Sequence, residues 1–286
     1  MSDWDAWVGR QDSRGDQLSP ELAARWLAMF DHAGKGSASL PQGVHFALCC
    51  PDAPTAALGP DGHPKRDDSA SSFMPPIPEN IMPRRMWASS KIAFHAPINV
   101  GAAIERTSTV ASIKEKSGGS GSLIFVNVDH ATHADGALAV KETQTLVYRA
   151  AAPADAPLSP PALGEPNFDP SQWDAHRVIT PDPRLLFRFS ALTFNTHRIH
   201  YDAPYAGDEE RYRGLVVHGP LTASLLLQLV ASQLGDNALL TFQFRGMSPA
   251  IADEPLHLVM RGSGADIELA AFADDGRQVT AASASV

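Results

Sequence analysis

Alternation and helical spacing of apolar positions divide the chain into two similar series of elements. Near the start, Ser19 and Pro20 stand where an N-cap and a first helical residue belong, and Leu22, Trp26, Met29, Phe30 and Ala33 follow at helical spacing up to Gly34. That spacing predicts an amphipathic helix. From residue 89 the pattern becomes strand-like, with strands expected over 104–113, 123–132 and 138–148 and a tight hairpin at Asp135-Gly136. The same order then returns. Pro220 opens a mostly apolar helix over 221–234 that Gly235 closes, and strands are expected over 239–245, 256–261, 267–273 and 278–283, with Asp275-Gly276 repeating the hairpin signal. A helix apolar on nearly every side has to be covered all round, as by a sheet wrapped about it. Helix followed by antiparallel strands, twice over, predicts an α+β fold with an internal duplication.

An Ala- and Pro-rich run over 150–170 breaks every periodicity and reads as a linker, dividing the chain into 1–150, 151–170 and 171–286. A polar, proline-rich stretch at 51–83 holds Gly62-His63-Pro64-Lys65 and Phe73-Met74-Pro75-Pro76. It is too long for a simple connection and is expected to be an ordered loop or lid.

Composition narrows the choice of partner. At 286 residues, 44% apolar and 19% charged, the chain has room for two domains of ordinary globular make-up. Its net charge of -9 argues against nucleic acid and anionic membranes. Apolar runs fall short of the roughly 20 residues that cross a bilayer, and Met1-Ser2-Asp3-Trp4-Asp5 lacks the features of a signal peptide, so a cytoplasmic protein is expected. The two cysteines, Cys49 and Cys50, are adjacent and exclude a disulfide framework. With no CxxC or HExxH spacing, no metal site is expected.

Candidate chemistry concentrates between Ser190 and Pro220, where His197, His200 and His218 accompany Asn195 and Asp202. Histidine is suited to moving protons near neutral pH, and the helix N-terminus after Gly219 would offer unpaired backbone N–H groups to a developing oxyanion. Together these are the parts of a proton-transfer site on a carbonyl or thioester. Arg84, Arg85, Arg198 and Arg213 either bind a carboxylate or phosphate group through paired donors, or are solvated surface charges.

Phe194-Asn195-Thr196-His197-Arg198-Ile199-His200-Tyr201-Asp202 resembles the hydratase motif of the MaoC-like hot-dog enzymes, commonly Gly-Asp-x-Asn-Pro-Ile-His-x-Asp. Val217-His218-Gly219-Pro220-Leu221-Thr222-Ala223 resembles the segment that opens their central helix. The similarity is to the two-hot-dog branch that includes hydroxyacyl-thioester dehydratase type 2, mesaconyl-C4-CoA hydratase and itaconyl-CoA hydratase. Trp7-Val8-Gly9-Arg10, Phe73-Met74-Pro75-Pro76, Pro83-Arg84-Arg85-Met86-Trp87-Ala88 and Val147-Tyr148-Arg149 extend it through the first half.

The resemblance implies a double hot-dog, with two antiparallel sheets each wrapped around a central helix and the active site between the halves. The second half would be catalytic and the first would shape the substrate pocket. His200 is then the catalytic histidine, taking a proton from water and returning it to Cα, and the Gly219 amide is the oxyanion donor. Asn195 occupies the position of a catalytic aspartate, although an amide cannot act as a base near neutrality. Asp202 either orients His200 or caps local structure, and His197 and His218 play supporting parts.

The implied reaction is addition of water to an enoyl-CoA thioester, or its reverse, with a short branched dicarboxylic acyl group as first choice. Coenzyme A is part of the substrate, so no separate cofactor is implied. The alternatives are a 3-hydroxyacyl-CoA or acyl-carrier-protein dehydratase of fatty-acid or polyketide metabolism, and a non-catalytic acyl-thioester binding protein. Open sheet edges would suit a homodimer.

Overall fold

The computed structural model describes residues 4–32, 38–66, 72–118 and 121–286. The first half comprises β1 (Gln11–Gln17), α1 (Pro20–Met29), β2 (Arg84–Phe94), β3 (Ala103–Gly118), β4 (Gly121–Ala134) and β5 (Ala137–Arg149). The second comprises β6 (Ala175–Ile179), α2 (Pro183–Thr193), α3 (Ala203–Asp208), α4 (Gly219–Leu234), β7 (Thr241–Gly246), β8 (Leu256–Ser263), β9 (Asp266–Ala273) and β10 (Gln278–Ser285).

Local chemistry accounts for most of these elements. Ser19 caps α1 by accepting from the Leu22 N–H at 3.2 Å, and Ala23, Trp26 and Met29 form its buried face. This helix ends at Met29, earlier than its spacing predicts, because Asp31 turns into the left-handed region at φ 56°. Ala33 and Gly34 lie outside the described residues. Asp135 and Gly136 take φ values of 50° and 80°, the paired positive angles of a two-residue hairpin whose twist matches its strands. In α4 every residue from Pro220 to Val230 is buried, as an all-round apolar helix demands.

The expected pair of sheets is joined into one. β2 pairs with β5 on one side and with β7 on the other, giving a ten-stranded antiparallel sheet in the order β1-β3-β4-β5-β2-β7-β10-β9-β8-β6. A register shift between Trp87 and Ser89 lets β2 bend as it passes from the first half to the junction. One continuous apolar core runs from Trp26 of α1 through α4 to β7–β10. A smaller cluster lies against the first-half sheet, where Ile77 and Met82 meet Val110, Ile124, Val126 and Tyr148.

The apolar pattern did not predict β1, β6 or α2. The two strands are the sheet edges, and their largely exposed, polar residues give no alternation to read. The helix has clear signals: Asp182 accepts from the Leu185 N–H at 2.9 Å, Pro183 opens it, and Leu186, Phe189 and Thr193 share its buried face. Between β5 and β6, Arg211 donates to the carbonyl of Ala156 and Arg213 to those of Pro160 and Pro161, so this proline-rich passage is tied to the second half.

Candidate active site

The left-handed C-cap of α2, Phe194 at φ 49°, turns the chain sharply toward His200. The Asn195 side-chain oxygen then accepts from the His197 backbone N–H at 3.0 Å, fixing the approach to the short turn Arg198–His200. Opposite lies the strand-like segment of Val216, whose N–H is held by the Ile199 carbonyl at 2.9 Å. Its own carbonyl accepts from His200 Nδ1 at 2.7 Å. Because a carbonyl only accepts, Nδ1 carries the hydrogen and Nε2 keeps its lone pair. Burial, reinforced by His197, lowers the His200 pKa to about 3, so the ring is neutral near pH 7. The His218 ring stacks on it with centroids 3.6 Å apart, and Ser190 Oγ holds His218 Nε2 at 2.9 Å.

Asp202 does not orient His200. It caps α3 by accepting from the Tyr205 N–H at 3.2 Å and receives the Arg198 guanidinium at 3.0 and 2.7 Å. The Val216 carbonyl does the orienting, and nothing in its local sequence marks it for that part. His197 donates from Nε2 to Glu210 at 3.1 Å, and Glu210 also receives Arg84 at 2.9 Å. Burial works against the Glu210 carboxylate, yet the His197 hydrogen bond and the Arg84 charge outweigh it and hold its pKa below the usual value.

These contacts revise the arginine expectations. Arg84 is buried as the counterion of Glu210, with its guanidinium over the Tyr212 ring, so it is not free to bind substrate. Arg198 is engaged by Asp202 and the Pro60 carbonyl, and Arg213 by Glu254; neither lines the cavity that His200 faces. Arg85 does line it, and among the described residues its side chain forms no hydrogen bond or ion pair.

The cavity has a volume of about 870 Å³ and takes walls from both halves. Asn195, His197, His200 and Gly219 reach it from the second half, and Arg85 and Trp87 from the first. Gly219 is the first residue of α4, so its N–H has no intrahelical partner, and Pro220 behind it has no N–H at all. An oxygen approaching this helix end therefore meets the Gly219 donor first. The Trp87 carbonyl lies 3.6 Å from where a Cβ on Gly219 would stand, so β2 walls the helix entrance closely without excluding a small side chain.

Two further contributors, Glu210 and the pair Asp61–His63, were not weighed from sequence. The loop carrying the pair is bound to the hydratase-like segment by Arg198 N–H to the Asp61 carbonyl at 2.9 Å and Thr196 Oγ1 to the Gly62 carbonyl at 2.5 Å. Gly62 has φ 89°, and a Cβ there would sit 1.8 Å from the Thr196 carbonyl oxygen, so only glycine fits. His63 Nδ1 donates to Asp61 at 2.8 Å, and its ring lies 4.2 Å from that of His197. Asp61, His63 and His197 are the one grouping of metal-ligating types found among the described residues. Hydrogen bonds to one another and to Glu210 already engage the Asp61 carboxylate and one nitrogen of each ring.

Comparison with known proteins gives the family and the fold. A family model described as hydroxyacyl-thioester dehydratase type 2 matches residues 43–252. The chain is 41% identical over 291 residues to mesaconyl-C(4)-CoA hydratase of Chloroflexus aurantiacus, covering 100% of this chain and 98% of that one. Among solved structures, a MaoC-like dehydratase from Phytophthora capsici superposes with a TM-score of 0.69 at 13% identity, covering 99% of both chains. A Mycobacterium tuberculosis protein with a double hotdog fold gives 0.59 at 15% identity, covering 97% of this chain and 95% of that one. The fold is thus a double hot-dog.

Proposed function

Since the chain belongs to the hydroxyacyl-thioester dehydratase type 2 family, we propose that it is a hydro-lyase adding water to an α,β-unsaturated acyl-CoA thioester, or removing it from the 3-hydroxy form. The acyl group we favour is short, branched and dicarboxylic, as in mesaconyl-C4-CoA or itaconyl-CoA. One observation carries the reading: the lone-pair nitrogen of His200, the Asn195 amide and the free Gly219 N–H belong to residues lining one cavity.

In hydration, His200 Nε2 engages the attacking water as its oxygen bonds to Cβ. The π pair moves into a thioester enolate, whose oxygen the Gly219 N–H stabilises, and Cα then takes up a proton. Asn195 holds water or thioester through its amide. Arg85, in the cavity wall and with no side-chain hydrogen bond or ion pair among the described residues, supports recognition of a second carboxylate. The reaction needs no cofactor beyond the coenzyme A of the substrate. We place the protein in the cytoplasm, and the exposed sheet edges β1 and β6 support a homodimer.

The test is the ultraviolet absorbance of the conjugated enoyl thioester when purified protein meets mesaconyl-, itaconyl- or crotonyl-coenzyme A. Rapid loss with a dicarboxylic substrate and not with crotonyl-coenzyme A is the expected result. Turnover of straight-chain substrates alone would favour a 3-hydroxyacyl-thioester dehydratase, the activity named in the family description. Absence of change with all three would leave an acyl-thioester binding protein.

A further inference from the structure

Hydration displaces a proton from water, and that proton must wait on some group until Cα receives it. His200 is poorly built to hold it. Its Nδ1–H rests on a neutral carbonyl, its face is covered by the His218 ring, and His197 stands edge-on with centroids 5.5 Å away, so an imidazolium there would be buried without a counter-charge. Asn195, in the position of a catalytic aspartate, has no titratable proton to help.

Among the four histidines grouped here, two touch a carboxylate. The partner of His197 is Glu210, whose charge is already shared with Arg84 at 2.9 Å. The partner of His63 is Asp61, whose carboxylate is in hydrogen-bond contact with no lysine or arginine among the described residues. Although burial works to raise the Asp61 pKa, hydrogen bonds from the His63 ring and from the His63 backbone N–H bring it down, so the carboxylate is in place when needed. Burial, helped by Arg85 and His197, lowers the His63 pKa well below its ordinary value despite the opposing Asp61, so the resting ring is neutral with a nitrogen that can accept, and it is the Asp61 contact that His200 lacks. With Nδ1–H committed to Asp61, the accepting atom is Nε2. His63 lines the same cavity as His200 and Gly219, on a loop fastened at Thr196 and Arg198.

We propose that the Asp61–His63 dyad of the first half is the proton carrier of the reaction, supplying the function that Asn195 cannot. This rests on the hydro-lyase reading above. His200 Nε2 accepts one hydrogen of the water as a hydrogen bond and directs the oxygen at Cβ, while His63 Nε2 removes the other. The O–Cβ bond forms as the π pair moves into the enolate. The His63 imidazolium, neutralised by Asp61, then gives its proton to Cα, the C–H bond forms from the enolate pair, and the dyad returns to its starting state. Dehydration runs the same steps backward, with one proton carried throughout.

The experiment compares wild type, His63→Gln, His63→Ala and Asp61→Asn by enoyl-thioester absorbance, each checked for folding by thermal melting. His63→Gln is expected to lower kcat on the order of 100- to 1,000-fold with KM changed less than about threefold, and Asp61→Asn to lower it on the order of 10-fold. Added imidazole is expected to restore part of the activity of His63→Ala in a saturable manner, which a merely structural role of the ring would not allow. His63→Gln retaining activity within about threefold of wild type would overturn the proposal, as would a loss in His63→Ala that imidazole leaves untouched. Wild-type activity abolished by a chelator and restored by zinc would also overturn it, by making Asp61 and His63 metal ligands. Failure of the wild type to hydrate any enoyl thioester would instead strike the hydro-lyase reading itself.

Discussion

The two halves share an order of elements and differ in what lies against the sheet. In the second half, the 16 residues of α4 are buried around most of their circumference and strands of 8 residues close over them. In the first, α1 has 10 residues and one buried face, while β3, β4 and β5 run to 16, 14 and 13 residues. The long strands extend past what the short helix can cover. Beyond the reach of α1, Ser108, Val128, His130, Gln144, Leu146 and Tyr148 line the cavity, with Val128 and Tyr148 packed in the cluster of Ile77 and Met82. A repeated plan has thus become one half built round a buried helix, which carries the hydratase-like motif, and one half whose sheet lines much of the cavity. The first half also brings His63 and Arg85 to the cavity wall, the former held by Asp61.

The largest effect should follow removal of the histidine presented by the second half. His200→Ala is expected to lower kcat/KM on the order of 1,000-fold or more while leaving the urea midpoint nearly unchanged, and equal activity would end the proposed mechanism. Next comes the ion pair that joins the halves. Arg84→Ala leaves Glu210 buried with His197 alone, and urea unfolding should register a loss of about 3 to 5 kcal/mol.

Acid should weaken both halves together. His200 has a folded pKa of about 3 in the second and His130 about 4 in the first, against an ordinary 6.5. Both values are depressed, so the unfolded chain takes up protons that the folded one refuses. Stability is then full above pH 6.5 and falls between pH 6.5 and 4, by up to about 1.4 kcal/mol per pH unit for each such histidine. Urea midpoints at pH 7 and pH 5 check this, and His130→Gln should remove the share that His130 contributes. Smaller still, Arg85→Ala should raise KM for a dicarboxylic thioester about 10- to 100-fold and spare crotonyl-coenzyme A, as loss of a charge-assisted pair would. Arg198→Ala, outside the cavity and about a third exposed, should change stability by less than about 1 kcal/mol and activity by less than about threefold.

What the sequence determined by itself was local or statistical. Caps such as Ser19, the Asp135-Gly136 hairpin, the all-round apolar helix at 221–234 and the words around His200 each act within a few residues, so the chain order displays them directly. The duplication and the family were legible for the same reason. Only the tertiary structure decided which groups met across long stretches of chain. The Val216 carbonyl, and not Asp202, orients His200; Glu210 claims Arg84; the loop of Asp61 and His63 docks on Thr196; and β2 joins the two sheets through β7. An arginine reads alike in sequence whether it is solvated, buried against a carboxylate or free in a cavity wall. Its state is set by desolvation and by the charge brought beside it, and both depend on the folded path of the whole chain.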